Sequence, residues 1–378
     1  ADSLEDGSPS DYTIRRYVNE AIGGSALIWF EAISIVPEGR SSKTQLLLTE
    51  ENVESYKRMN EKIKEAGRKA NGFEPYLIMQ ANHSGRYSNP DNRPAPMIAY
   101  RHPQLEQYRA ADDSCIVTDD YLKSLEESFG KAALLAKKAG FDAVDIKSCH
   151  GYLLAELLSA YDRPGQYGGN YENRTRLLKN GIKAAKVWED ENFQVTCRLG
   201  IYDGYEYPWG FGVSEGSGLK PDLKEPIRLV KELYGNCGIQ MMNLTMGNPS
   251  SRFEPPYPDI AFSFSTLPSI KNMLSNEFRI TIALDTEYVT GSADDEISRE
   301  IITWQFAFWN PVNIDQIVEV IFYSLNGNRL PLSFALSWMI ENFHLTNYPQ
   351  VSLSEKGIDY RETQRWVSHS RKSGKDSH

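Results

Sequence analysis

Three side chains that handle protons sit within six positions of one another: Lys147, His150 and Tyr152. They come at once after a short apolar run, Ala143-Val144-Asp145-Ile146, that reads as a buried strand. A lysine offers a compact point charge whose ionisation shifts on burial. A histidine titrates near neutrality. A tyrosine hydroxyl, near pKa 10 when unperturbed, can still supply a proton to a strongly basic centre. Together they gather three proton-handling groups at the end of one strand. Two further residues close strands of their own, Gln80 after Pro75–Met79 and Arg198 after Phe193–Cys197. Each also has a plainer reading: a solvated lysine, a packed histidine, a glutamine cap, an ion-paired arginine.

A strand that ends and immediately presents titratable groups is how an α/β barrel builds chemistry, on the loops at the carboxyl ends of its strands. The chain supplies such strands near 27–36, 75–80, 143–147, 194–199, 239–245, 279–284 and 300–304. Helices are expected between them. The clearest runs from Thr118 to Ala139, with Leu122, Leu125, Phe129, Ala132 and Ala136 on one face and Gly140 as its stop. Others are expected from Thr49 or Glu50 to Gly67, around Leu178–Trp188, from Pro226, over 265–274 and over 314–325. Strands alternating with helices argue for a parallel sheet under covering helices. A (β/α)8 TIM barrel fits best, over residues 1–330, with 331–378 as an extension. One strand of the eight is unaccounted for.

Composition narrows the function class. Apolar residues make up 40% and aromatics 11% of 378 residues, enough for a sizeable core. A formal charge of −10 argues against nucleic-acid binding, which needs a basic face. Cys115, Cys149, Cys197 and Cys237 show neither paired nor metal-ligand spacing, so a reducing, cytoplasmic setting is expected and no metal site. No apolar run is long enough for a membrane helix. A homo-oligomer stays open.

The motifs, taken in order, resemble those of the Old Yellow Enzyme family of FMN-dependent NAD(P)H:flavin oxidoreductases. The matching runs are ALIWFEAISIVPEGR (26–40), IMQANHSGRYS (78–88), the stretch 141–176 with KSCHGYL and RPGQYGGNYENR, CRLGIYDG (197–204), YPWGFGV (207–213) and NLTMGNP (243–249). The resemblance implies FMN as cofactor, NADH or NADPH as reductant, and a small unsaturated or carbonyl-bearing acceptor as substrate. It places Ala32 against the flavin, Gln80 and Arg198 at the ring's pyrimidine edge, and His150 and Tyr152 at the acceptor. Lys147 stands where the family more often has histidine, and His150 where it has histidine or asparagine. His83 is expected to be structural or at the cofactor rim. Arg163, Gly168, Asn173 and Arg174 are expected to shape a loop.

The last third departs from the family pattern. The family's seventh and eighth strands end in glycine-containing phosphate loops, the last with an arginine. Here the corresponding runs are Ala283-Leu284-Asp285-Thr286-Glu287 and Ile302 to Phe308, with no glycine or arginine and with two acids. There is no cysteine after Cys237, so the iron–sulfur cluster of some members is not expected. Asp6–Tyr17 resembles the segment just after the family's first strand, so that strand is expected to be absent. Two readings stand: an ene-reductase-like flavin oxidoreductase, or a degenerate, flavin-poor relative.

Overall fold

The structure is a computed structural model. It describes residues 2–247 apart from 108 and 217, and the backbone of four later strands, 279–288, 300–309, 353–354 and 357–358. Helices expected over 265–274 and 314–325, and the boundary expected near 330, lie outside the described residues.

Five parallel strands form the body of the sheet: β1 (Leu27–Ser34), β2 (Tyr76–Asn82), β3 (Ala143–Ser148), β4 (Gln194–Tyr202) and β5 (Met242–Met246). Each pairs with the next in sequence, so each connection is a crossover in a curling α/β barrel sheet. Helix α1 (Asp11–Ile22) precedes β1, and the helices within the crossovers are α2 (Val53–Asn71), α3 (Asp119–Lys138), α4 (Leu153–Leu158), α5 (Tyr171–Arg174), α6 (Arg176–Lys186) and α7 (Lys224–Gly235).

Local chemistry fixes the ends of these helices. Thr118 accepts from the Tyr121 amide at 3.2 Å, Asp119 and Asp120 occupy the first turn of α3, and Lys137 and Lys138 its last. These charges complement the helix dipole. The buried stripe of α3 includes every residue expected of it. Helix α2 begins later than expected, because Thr49 and Asn52 bond each other's amides and hold 49–52 as a turn.

Two departures concern the ends of the sheet. The sixth and seventh strands, β6 (Arg279–Tyr288) and β7 (Glu300–Trp309), are not parallel barrel strands but an antiparallel hairpin. β7 pairs antiparallel with β5 and β6 lies outermost. The stretch 289–299 is at the lower limit for a crossover, whereas an antiparallel partner needs only a turn. At the other end, residues 45–48 occupy the upper outer edge of β1. The Ser34 amide donates to Leu46 O at 2.9 Å, Leu47 bridges Ser34 in parallel, and Gln45 Nε2 donates to Ala32 O at 2.9 Å. Leu46, Leu47 and Leu48 are buried there. Among the described residues, β1 and β6 are the two ends of the sheet.

The chain divides into two units, Ala1–Tyr323 and Ser324–His378. The described part of the second is an antiparallel pair, β8 (Leu353–Ser354) and β9 (Gly357–Ile358). Among the described residues no helix is long and apolar enough to cross a membrane.

Candidate active site

The inner face of the parallel strands is built in layers. At the bottom Ile78, Ala143 and Met241 pack with Leu27, Trp29 and Tyr76. In the next layer Ala32 lies opposite Gln80, and Gln80 opposite Asp145. One step further Lys147 lies opposite Arg198, and Arg198 opposite Asn243. Four of the six candidate site residues thus occupy two adjacent rungs of one sheet face, at the carboxyl ends of their strands.

Strict alternation would not bring Ala32 to this face. Trp29 pairs with Ile78, and Ala32 with Gln80, so two residues of β1 oppose one of β2. This bulge reverses the parity of the strand. Within it Phe30 packs on Tyr17 at 4.0 Å and Phe141 at 5.0 Å. Above it Ala32 faces the same side as Gln80.

His150 is displayed differently. Its φ is +64°, and that of Gly151 is +66°, a left-handed pair directly after β3. This conformation costs a non-glycine residue about 1–2 kcal/mol, and histidine is among those that adopt it more readily than most. Strain of this kind collects where function demands a geometry. Burial, with Arg198 and Lys147 adding to it, holds the His150 pKa well below the usual value, so the ring is neutral. Tyr152 caps α4 and meets Tyr87 edge-on at 5.6 Å. The Lys147 ammonium lies 4.3 Å from the centre of the Tyr152 ring, a cation–π contact in a nearly dry setting.

Three buried donor atoms at this site have no partner: Gln80 Nε2, His150 Nε2 and Arg198 Nε. Unsatisfied buried polar groups are rare, and each costs about 1–3 kcal/mol. Gln80 and Arg198 stand on adjacent rungs of one sheet face and suit a flat ligand edge lined with acceptors, as the flavin ring presents, while His150 is offered from the turn after β3. The phosphate end is different. Asp285 and Glu287 stand on β6, opposite Thr303 and Ile301 of β7. The loop regions around this hairpin fall outside the described residues.

Other motif residues prove to be scaffolding. His83 Nδ1 accepts from the Gly85 amide at 3.0 Å, which puts the ring proton on Nε2, where it donates to Tyr121 Oη at 2.8 Å. Tyr121 in turn donates to Glu38 at 2.9 Å. Burial lowers the His83 pKa to about 4. Arg163 donates to Ala99 O and Val117 O at 2.7 Å each and to Asp119 at 2.9 Å. Arg174 ties Gly169 O, Leu158 O and Glu225 together. A Cβ at Gly168 would overlap the carbonyl oxygen and side chain of Arg163, so only glycine fits that crossing.

The sequence reading missed three contributors. Arg86, wholly buried, pairs with Glu156 and donates to Tyr100 O at 3.0 Å, while Glu156 also accepts from the Ala99 amide at 3.0 Å. This strut pins the long loop after β2 onto α4. Asp203, just beyond β4, accepts from the Phe211 amide at 3.0 Å, and burial pushes its carboxyl up to about 7. Asp145 lies fully buried between Gln80 and Thr196. The signal for Asp145 was available: an acid in the middle of an otherwise apolar strand, two residues before Lys147. A separate cavity of about 250 Å³ lies beside these loops, lined by Tyr100, Ile116, Pro164, Pro208 and Trp209 among others. It shares no lining residue with the two rungs.

Comparison with known proteins decides the family. The family model described as NADH:flavin oxidoreductase / NADH oxidase matches residues 1–211, more than half of the chain. The chain belongs to this family. An NADPH dehydrogenase of Clostridium acetobutylicum is 30% identical over 272 residues, covering 70% of this chain and 72% of that protein. An NADPH dehydrogenase of Bacillus pumilus is 34% identical over 192 residues, and there the chain spans about half the relative's length, 53%. Among solved structures, an old yellow enzyme homologue from Zymomonas mobilis superposes with a TM-score of 0.50 at 23% identity, covering 72% of each chain. A 2-naphthoyl-CoA reductase does so with a TM-score of 0.57 at 18% identity, covering 71% of this chain and 42% of that one. These structures share the α/β barrel fold. Membership of the family makes the chain an FMN-dependent NAD(P)H oxidoreductase by class.

Proposed function

We propose that the two rungs and the His150–Tyr152 turn form a site that reduces a small unsaturated or carbonyl-bearing acceptor, in the manner of an ene-reductase. The observation that carries this reading is a set of three buried, unpartnered nitrogens, Gln80 and Arg198 on one sheet face and His150 on the turn directly after β3. Bound FMN would supply the redox chemistry, taking hydride from NAD(P)H and passing it to the acceptor.

The chain's own residues then divide the work. Gln80 and Arg198 would donate to the ring edge, where reduction places negative charge, and fixed donors in a dry site favour such charge strongly. Ala32 leaves room for a flat ring to lie close to β1. His150, neutral, would donate one hydrogen bond to the acceptor oxygen. Lys147 adds positive charge beside it. Tyr152, held between the Lys147 ammonium and Tyr87, would deliver a proton to the acceptor carbon. The named relatives are NADPH dehydrogenases, so NADPH is the reductant to try first.

A second reading has one observation behind it. An antiparallel hairpin carrying Asp285 and Glu287 stands where the family puts phosphate-binding strands. A flavin-poor relative would look like this. Titrating the purified, folded chain with FMN separates the two. Stoichiometric uptake, with bleaching of the flavin band by NADPH under anaerobic conditions, is the expected result. Folded protein that takes up no FMN would overturn the oxidoreductase reading in favour of the second.

A further inference from the structure

Asp145 is the only acid on the two rungs among the described residues, and it is completely buried. Its Oδ2 accepts from Trp29 Nε1 at 3.0 Å, and its Oδ1 accepts from the backbone amide of Arg198. Both carboxylate oxygens are therefore fixed, one from β1 and one from β4. The charged groups that face it are Arg198 on β4 and Lys147 on its own strand. The thiols of Cys149 and Cys197 also sense its charge, but burial raises both and keeps them neutral. Gln80 on β2 and Asn243 on β5 do not titrate. A buried carboxylate balanced by two cations shares those cations with whatever else they serve. Burial, countered by Trp29 and Arg198, pushes this carboxyl up to about 6.

We propose that Asp145 is a positioning residue that sets the redox potential of bound FMN, by competing with the ring for the positive charge of Arg198. The inference rests on the reading of Gln80 and Arg198 as ring donors. Two-electron reduction of FMN by hydride adds two electrons and one proton and leaves one negative charge on the ring. An ionised Asp145 opposes that charge. When Asp145 takes a proton from solvent at the same time, the net uptake becomes two electrons and two protons, and the opposition is relieved. Reduction therefore raises the Asp145 pKa, and over the pH range between its values in the oxidised and reduced states the potential falls more steeply with pH.

The test is the midpoint potential of the FMN-loaded protein against pH, for wild type, Asp145→Asn and Trp29→Phe. Asparagine keeps the shape and removes the charge. Wild type is expected to show a segment beginning near pH 6 in which proton uptake rises from one to two per two electrons. Asp145→Asn should lack this segment and show a more positive potential at pH 8. Trp29→Phe removes a donor that favours the ionised form, so its segment should begin at higher pH. That variant and the wild-type profile carry the test if Asp145→Asn folds poorly. Flavin bound in all three proteins with superimposable potential–pH curves would overturn the proposal while leaving the ring-donor reading intact. Wild type that binds no FMN overturns the ring-donor reading, and the proposal with it.

Discussion

Replacing Glu156 with glutamine should destabilise the chain far more than its conservative chemistry suggests. The Arg86 side chain is 0% exposed and that of Glu156 3%, so the pair exists in a nearly water-free environment. Glutamine removes the negative charge but leaves the guanidinium buried. Removing one member of such a pair costs about 3–5 kcal/mol when the surviving charge is uncompensated, and Glu106, 4.0 Å from the Arg86 guanidinium, offsets only part of that here. Two further bonds are at stake, from the Ala99 amide to Glu156 and from Arg86 to Tyr100 O, both 3.0 Å. Since a domain's whole stability is about 5–15 kcal/mol, the variant should unfold at a markedly lower denaturant midpoint. The double variant Arg86→Met with Glu156→Leu removes both charges, and it should recover most of the loss. Urea unfolding followed by tryptophan fluorescence and far-ultraviolet circular dichroism reads both. A single variant within about 1 kcal/mol of wild type, or a double variant no better than the single, would refute the view that an isolated charge, rather than lost packing, sets the cost.

Gly168→Ala should destabilise by about 1–3 kcal/mol, since its Cβ would press on the Arg163 carbonyl oxygen and Cβ; thermal unfolding checks this. His83, neutral in the fold with a pKa near 4 and normally near 6.5 when unfolded, takes its proton more readily in the unfolded chain. Stability should therefore fall as pH drops from about 6.5 towards 4, by at most about 1.4 kcal/mol per pH unit from this group, and His83→Gln should flatten that part of the stability–pH profile. His150→Ala should lower kcat/KM for an enone by about 10²-fold or more if its donor stabilises the acceptor oxygen, with FMN affinity little changed; steady-state kinetics beside an FMN titration separates the two.

The parallel strands and their helices were legible because hydrophobic period and cap chemistry are local properties. All seven expected strands are present, and α3 buries the stripe expected of it. The direction of the last two was not legible. A ten-residue β-rich run such as Arg279–Tyr288 does not record whether its neighbour runs with it or against it. Among the site residues, Gln80, Lys147 and Arg198 fall on one face by simple alternation. Ala32 reaches that face only through the bulge, which no periodicity reveals. Arg86 and Glu156 lie 70 positions apart, and each looks like an ordinary surface charge in sequence. Only tertiary structure shows that they are buried together.

The left-handed backbone at His150 also bears on how this position can evolve. A φ of +64° is tolerated best by glycine, asparagine, aspartate and histidine. A neutral hydrogen-bond donor to an acceptor oxygen is supplied, of those four, only by histidine and asparagine. These are the two residues expected at this position across the family. Backbone geometry and chemistry therefore act as two filters in series with nearly the same exit. Drift between histidine and asparagine is open without rebuilding the turn, whereas a serine or glutamine of equal chemical merit would first have to reshape the chain.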